Sequence, residues 1–277
     1  MPVNWIDLDG LVNLRDVGDI PTADGGRIAR GQLLRSDNLQ RIPPQTVTAL
    51  LDLGLTDVVD LRTSLEVAQE GPGPLTREPA VTIHHHSLFK ENLTEEQVEA
   101  GLTEQINALG PEEVAAQALP WTEIVRPTIE VEDDSASFYL SYLVDRPDSV
   151  VAALRAISRA PGAALVHCAA GKDRTGTIVA LALLLVGADE QSVIDDFAAS
   201  TERVARIVEK LSGTETYRDN VLSRPLSSHE TRPETMKLFL DYIGREYGSA
   251  ADLMAGLGWT GEDTARLRHK LLTPAAG

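Results

Sequence analysis

Four apolar residues, Ala163-Ala164-Leu165-Val166, lead directly into His167-Cys168-Ala169-Ala170-Gly171-Lys172-Asp173-Arg174-Thr175-Gly176, and Thr175 to Val186 is apolar for long enough to form a core helix. A buried strand, a tight loop and a helix start therefore converge on Cys168, the only cysteine in the chain. Five residues lie between Cys168 and Arg174. A loop of that length closing into a helix turns successive backbone N–H groups inward, as anion nests and helix N-termini do. A phosphate dianion fits such a cup. The expected binding residues are Ala169, Ala170, Gly171, Lys172, Asp173 and Arg174, the last presenting a planar fork to two phosphate oxygens.

The same surroundings bear on the sulfur. A helix N-terminus with nearby cations lowers a thiol pKa from about 8.5 into the range of roughly 3.5–7.5, and the thiolate is the nucleophilic form. Cys168 is therefore expected to be an ionised nucleophile at neutral pH. Thr175 is expected to donate a hydrogen bond to that sulfur and so ease its departure in a second step. The competing reading, a cysteine that is only a small buried hydrophobe, does not account for the coincidence of Cys168, Arg174 and Thr175 at this spacing. A nucleotide-binding P-loop does not fit either, because Val166 stands where that motif needs glycine and Asp173 where it needs Ser or Thr.

The loop resembles the C-x5-R signature of cysteine-dependent phosphatases, in the HCxxGKDRTG form of the atypical bacterial tyrosine phosphatases. Asn13-Leu14-Arg15-Asp16, Leu34-Arg35-Ser36-Asp37-Asn38-Leu39 and Asp60-Leu61-Arg62, followed by Glu66-Val67, extend the likeness. It covers most of the chain, strongly through residue 71 and from 163 to 199, and weakly from 86 to 135. The resemblance implies hydrolysis of phosphotyrosine, with phosphoserine, phosphothreonine and phosphoinositides accepted by some members. It also implies a pair of helices between residues 200 and 247 acting as a lid over the cup.

Lys172 inside the loop resembles the phosphoinositide-directed phosphatases, where it adds a cation for a doubly phosphorylated headgroup; the bland alternative is a solvated charge. Asp173 is the candidate general acid, protonating the departing oxygen. Its rival role is structural, since a carboxylate near a helix start is favoured by the dipole and caps backbone N–H groups. Glu91, Glu123, Asp133 and Asp134 remain alternative acids. Leu88-Phe89-Lys90-Glu91 departs from the Phe-Pro-Asp stretch that relatives carry at about this place, which leaves the acid's identity open.

At 277 residues and 43% hydrophobic composition, the chain can bury a sizeable core as one catalytic domain spanning 1–277, interrupted by an acidic insertion at 87–135. Strands alternating with helices predict an α/β, cysteine-phosphatase-like fold. Its mostly parallel central sheet is flanked by helices, the site lies at the strands' carboxyl ends, and lid-like helices follow toward the C-terminus. Helices are expected from Pro43-Pro44 to Leu53, after the Thr63/Glu66 capping box and from 147 to 159, with strands at Val58–Leu61 and Val81–His86. A further Thr94/Gln97 capping signal falls in the insertion. Residues 190–247 read as largely helical with a break between Arg224 and Pro233.

A single cysteine gives no internal disulfide, the N-terminus lacks a secretory pattern, and the longest apolar run, Ile178 to Val186, is too short to span a bilayer. The expectation is a cytoplasmic protein with no integral membrane segment, no cofactor and no metal. His84-His85-His86 lacks the partners of a ligand set. Net charge is −17, and residues 90–134 hold twelve Asp or Glu against Lys90 and Arg126, which disfavours nucleic acid as a partner. Phosphorylated proteins or phosphoinositides are the expected substrates. They must be captured locally, because remote acids are screened beyond about 8 Å at physiological salt. Arg15-Asp16 and Arg62 are read as structural ion pairs supporting the loop, the alternative for Arg62, at the end of a strand, being contact with substrate. A catalytically silent phosphate-binding module and a sulfur-transfer enzyme remain as other classes.

Overall fold

The computed structural model describes residues 3–91 and 126–272. Three strands, β1 (Asn4–Trp5), β2 (Arg15–Asp16) and β3 (Leu33–Ser36), are followed by α1 (Pro44–Asp52), β4 (Leu55–Asp60), α2 (Ser64–Glu70) and β5 (Thr82–His85). After the undescribed stretch come α3 (Asp134–Asp145), α4 (Pro147–Arg159), β6 (Ala163–His167) and α5 (Asp173–Leu185). Six α-helices complete the described residues: α6 (Glu190–Ala198), α7 (Val204–Ser212), α8 (Arg218–Leu222), α9 (Pro233–Tyr247), α10 (Ala250–Gly256) and α11 (Gly261–Leu271). The Thr94/Gln97 signal and Glu123 lie outside the described residues.

The six strands form one sheet in the order β1-β2-β3-β6-β4-β5. β3, β6, β4 and β5 run parallel, and the two short strands at one edge are antiparallel. β6 is the centre, with His167 in register with Ser36 on one side and Asp60 on the other. The loops after three parallel strands therefore leave the sheet at one carboxyl edge, the place where ligands bind in open α/β sheets.

Both faces of β6 are covered, and its residues divide between two cores with the strand period of two. Ala164 and Val166 join Leu33, Val59 and the apolar faces of α3, α4 and α5, whereas Ala163 and Leu165 join Leu34, Val58 and the α1 residues Val47 and Leu50. Helix α5 is apolar nearly all round, as the helix between sheet and C-terminal layer has to be. It begins at Asp173, two residues before the start read from the apolar run, because the polar first turn belongs to the loop–helix junction.

The expected Arg15–Asp16 ion pair is not formed. Neighbours on a strand point to opposite faces, so Arg15 turns inward to Asp196 at 2.9 Å. Asp16 instead accepts the backbone N–H groups of Gly18 and Gly31 at 2.8 and 2.7 Å. Asp196 also receives Arg35 Nη1 at 2.6 Å. Burial and the neighbouring Arg35 bring Arg15 down to about 10, while the Asp196 carboxyl sits below its ordinary range because the two guanidiniums overcome the burial that opposes its charge. Asp196→Ala would strand two buried cations. An expected loss of about 3–5 kcal/mol is checked by the urea midpoint of unfolding.

Candidate active site

Cys168 follows the last residue of β6, and the loop from it to α5 is held from outside through its carbonyls. Ala169 O accepts the Asn38 backbone N–H at 3.0 Å. Asn13 Nδ2 reaches Ala170 O at 2.9 Å and Gly171 O at 3.1 Å, and Arg35 Nη2 reaches Gly171 O at 2.8 Å and Lys172 O at 3.2 Å. No peptide here is cis, so each N–H points opposite to its carbonyl. The amides of Ala170, Gly171, Lys172 and Asp173 are thereby turned to the inside of the loop. Gly171 is required at its position: its φ is +68°, and a Cβ there would lie 2.3 Å from Ser36 O.

The loop walls a cavity of about 80 Å³ lined by Cys168, Ala169, Ala170, Lys172, Asp173 and Arg174 on one side and by residues between Leu211 and Glu230 on the other. Arg174 is buried, and Glu66 grips its guanidinium at both ends, Oε2 to Nη1 at 2.6 Å and Oε1 to Nη2 at 2.9 Å. Its face lies on the Phe89 ring, 5.2 Å from the centroid. Burial works against the charge, and the Glu66 carboxylate more than reverses that effect, holding the guanidinium well above its ordinary value. Arg174 Nε–H is buried with no partner among the described residues. Arg174 lines the same cavity as Cys168, and a charged side chain with an unpaired donor is suited to an oxyanion.

Glu66 is the residue that sequence patterning places correctly and underrates. The Thr63/Glu66 capping box forms as expected, with Thr63 N–H donating to Glu66 Oε2 at 2.7 Å. That cap also aims the carboxylate at Arg174, which lies 108 residues later and is invisible to local pattern. Burial opposes the charge of Glu66, yet Arg174 keeps its carboxyl below the usual range. Asn13 and Arg35 stood in the matched stretches, but nothing in their spacing announces that they fasten loop carbonyls.

The other expected residues are placed as follows. Asp173 starts α5 and accepts the Tyr139 hydroxyl at 2.5 Å while lining the cavity. Lys172 lines it too, with Nζ donating to the His229 carbonyl and standing 3.8 Å from Asp173. Thr175 Oγ1 is buried and makes no hydrogen bond among the described residues, so the bond to sulfur expected of it is not formed in this structure. Glu91 accepts the Ser64 N–H at 3.0 Å and Asp133 caps α3, each outside the cavity lining, as is Asp134. Glu230, which the sequence does not single out, is a second carboxylate on the cavity wall. Arg62 does form a structural pair, its Nη2 on Asp60 Oδ2 at 2.6 Å. The three histidines join no metal-ligating group among the described residues; His84 pairs with Asp57 at 2.8 Å.

The class of the protein follows from comparison with known sequences. The model of the tyrosine phosphatase family matches residues 6–273, and the chain belongs to that family. It is 32% identical over 229 residues to the triple specificity protein phosphatase PtpB of Mycobacterium tuberculosis, an alignment covering 74% of this chain and 72% of that one. A tyrosine-protein phosphatase of Nostoc commune is 26% identical over 181 residues, 65% of this chain and 52% of the relative. No helix among the described residues is long and apolar enough to cross a membrane.

His167, between Cys168 and Asp60, gives the site a pH signature. Burial lowers it to about 4, with Asp60 pulling the other way at 3.6 Å. An unfolded histidine titrates near 6.5, so between those values only the unfolded chain takes up the proton. The stability tied to His167 is complete above about pH 6.5 and falls by roughly 3 kcal/mol as the pH drops toward 4. Denaturant titrations across that window should show a flatter slope for His167→Gln than for the wild type.

Proposed function

We propose that this chain is a cysteine-dependent phosphoric monoester hydrolase that acts on phosphotyrosine through a phosphocysteine intermediate. The reading rests above all on the outward fastening of the carbonyls from Ala169 to Lys172, which turns four amides to the inner side of the loop that begins at Cys168. Cys168, as thiolate, attacks phosphorus in line while the bond to the leaving oxygen breaks. The amides and Arg174 take up the charge on the equatorial oxygens. Asp173 is the assigned acid and delivers a proton to the departing oxygen. Water then attacks the phosphocysteine, inorganic phosphate leaves, and the thiolate is restored. The residues between 200 and 247 act as a lid that keeps bulk water from the cup and meets the non-phosphate part of the substrate.

Phosphoserine, phosphothreonine and phosphoinositides are further substrates in this proposal. Lys172 supports the last of these, since it lines the same cavity as Cys168. The relative from M. tuberculosis carries "triple specificity" in its name, which agrees with a broad range. The second reading, a phosphate-binding module without turnover, shares the cup and differs only in product.

One turnover panel tests the assignment: an aryl phosphate, a phosphotyrosine peptide, a phosphothreonine peptide and a soluble phosphoinositide, each with chelator present. Wild-type protein should release phosphate and be inhibited by vanadate. Cys168→Ser should abolish turnover. Asp173→Asn should slow the poor alkoxide leaving groups about 10²–10⁴-fold and a good phenoxide leaving group far less. Lys172→Ala should weaken the phosphoinositide selectively. Phosphate binding with no product from any substrate would leave the silent module, and full activity of Cys168→Ser would overturn both the nucleophile and the mechanism.

A further inference from the structure

The Glu66 carboxylate that grips Arg174 has one more partner, contributed by the segment across the cavity. Tyr217, just before α8, donates its hydroxyl to Glu66 Oε1 at 3.0 Å, the same oxygen that receives Arg174 Nη2 at 2.9 Å. One helical turn further along α2, Glu70 Oε1 accepts the Thr216 hydroxyl at 2.7 Å. Glu66 and Glu70 are four residues apart and share a face, so two neighbouring residues of the covering segment are fastened to one side of α2. Only the first bond reaches the arginine.

Tyr217 is 2% exposed and packs with Ala169, Ala170, Ile207, Leu211 and Val221. Its ring thus shares an apolar cluster with two residues of the loop while its hydroxyl binds the carboxylate. Burial and the nearby Glu66 hold the phenol well above its ordinary value, so it is a permanent donor. Without the hydroxyl, Glu66 keeps the Thr63 N–H and the two guanidinium contacts. It loses the one donor that comes from outside α2 and Arg174, and with it a constraint on the rotation of the carboxylate about its χ3 torsion, which is intrinsically broad.

We infer that Tyr217 is a positioning residue: it locks the Glu66 carboxylate and through it the setting of the Arg174 fork, so that the segment walling the cavity also completes the oxyanion grip. The inference rests on the phosphatase reading of the cup. Its effect falls on the phosphoryl group itself and is therefore independent of the leaving group.

The test reads anion binding apart from turnover. Tungstate affinity is measured by calorimetry for the wild type, Tyr217→Phe, Thr216→Val, Glu66→Gln and the Tyr217→Phe/Glu66→Gln double variant, with thermal unfolding confirming that each is folded. Tyr217→Phe should weaken tungstate about tenfold, equivalent to about 1.4 kcal/mol, and lower kcat by a similar factor on aryl phosphates of different leaving groups. Thr216→Val, which cuts the parallel fastening to Glu70, should leave tungstate within about twofold, and Tyr217→Phe should add little once Glu66 is changed. Equal losses for Thr216→Val and Tyr217→Phe, undiminished affinity in Tyr217→Phe, or full additivity with Glu66→Gln would each overturn the proposal. Should Glu66→Gln fail to fold, the comparison of Tyr217→Phe with Thr216→Val decides alone. A wild type that binds tungstate yet turns over no substrate would defeat the phosphatase reading while leaving this test intact.

Discussion

The site depends on the direction of four peptide groups. A peptide left to itself in a tight loop turns its carbonyl to whichever donor is near, and a buried carbonyl without one is costly. Here the donors are all on the outer side: the Asn38 backbone, the Asn13 amide and the Arg35 guanidinium. Trans geometry then leaves the N–H groups no direction but inward. The glycine at 171, close against Ser36 O, lets the loop lie near enough to β3 for these bonds to form.

Around this ring the protein spends its buried charge on geometry. Arg15, Arg35, Arg62 and Arg174 are all buried, and each meets a carboxylate: Asp196 for the first two, Asp60 and Glu66 for the others. Buried ion pairs bring little net stability, since desolvation opposes the attraction. Their planar, two-point contacts do hold side chains in one orientation. Arg35 shows the use of this, with Asp196 on one side and loop carbonyls on the other. The pairs also set four buried guanidiniums within a chain of net charge −17. Of the two carboxylates on the cavity wall, Asp173 stands 3.8 Å from the Lys172 ammonium.

Much of this was legible in the chain before folding. The β6–loop–α5 unit, α1, the capping box of α2, and a parallel sheet with its site at the carboxyl edge all follow from short-range pattern, because periodicity, caps and loop spacing are local properties. The pairing of Arg15 was not legible, since sequence adjacency favoured Asp16 while strand geometry sends the two side chains to opposite faces. Nor was the second task of Glu66. A capping residue looks complete once its local bonds are counted, and its contact with Arg174 spans 108 positions.

The amino-acid sequence by itself determined Cys168, Arg174 and their five-residue separation, since those are fixed by covalent order and by the few ways a loop can enter a helix. The tertiary structure alone decided which side chains hold the loop open, what clamps Arg174 and which segment faces Cys168 across the cavity. Those contacts join strands, helices and loops far apart in the chain. Only the packing of both cores against β6 brings them within hydrogen-bond reach.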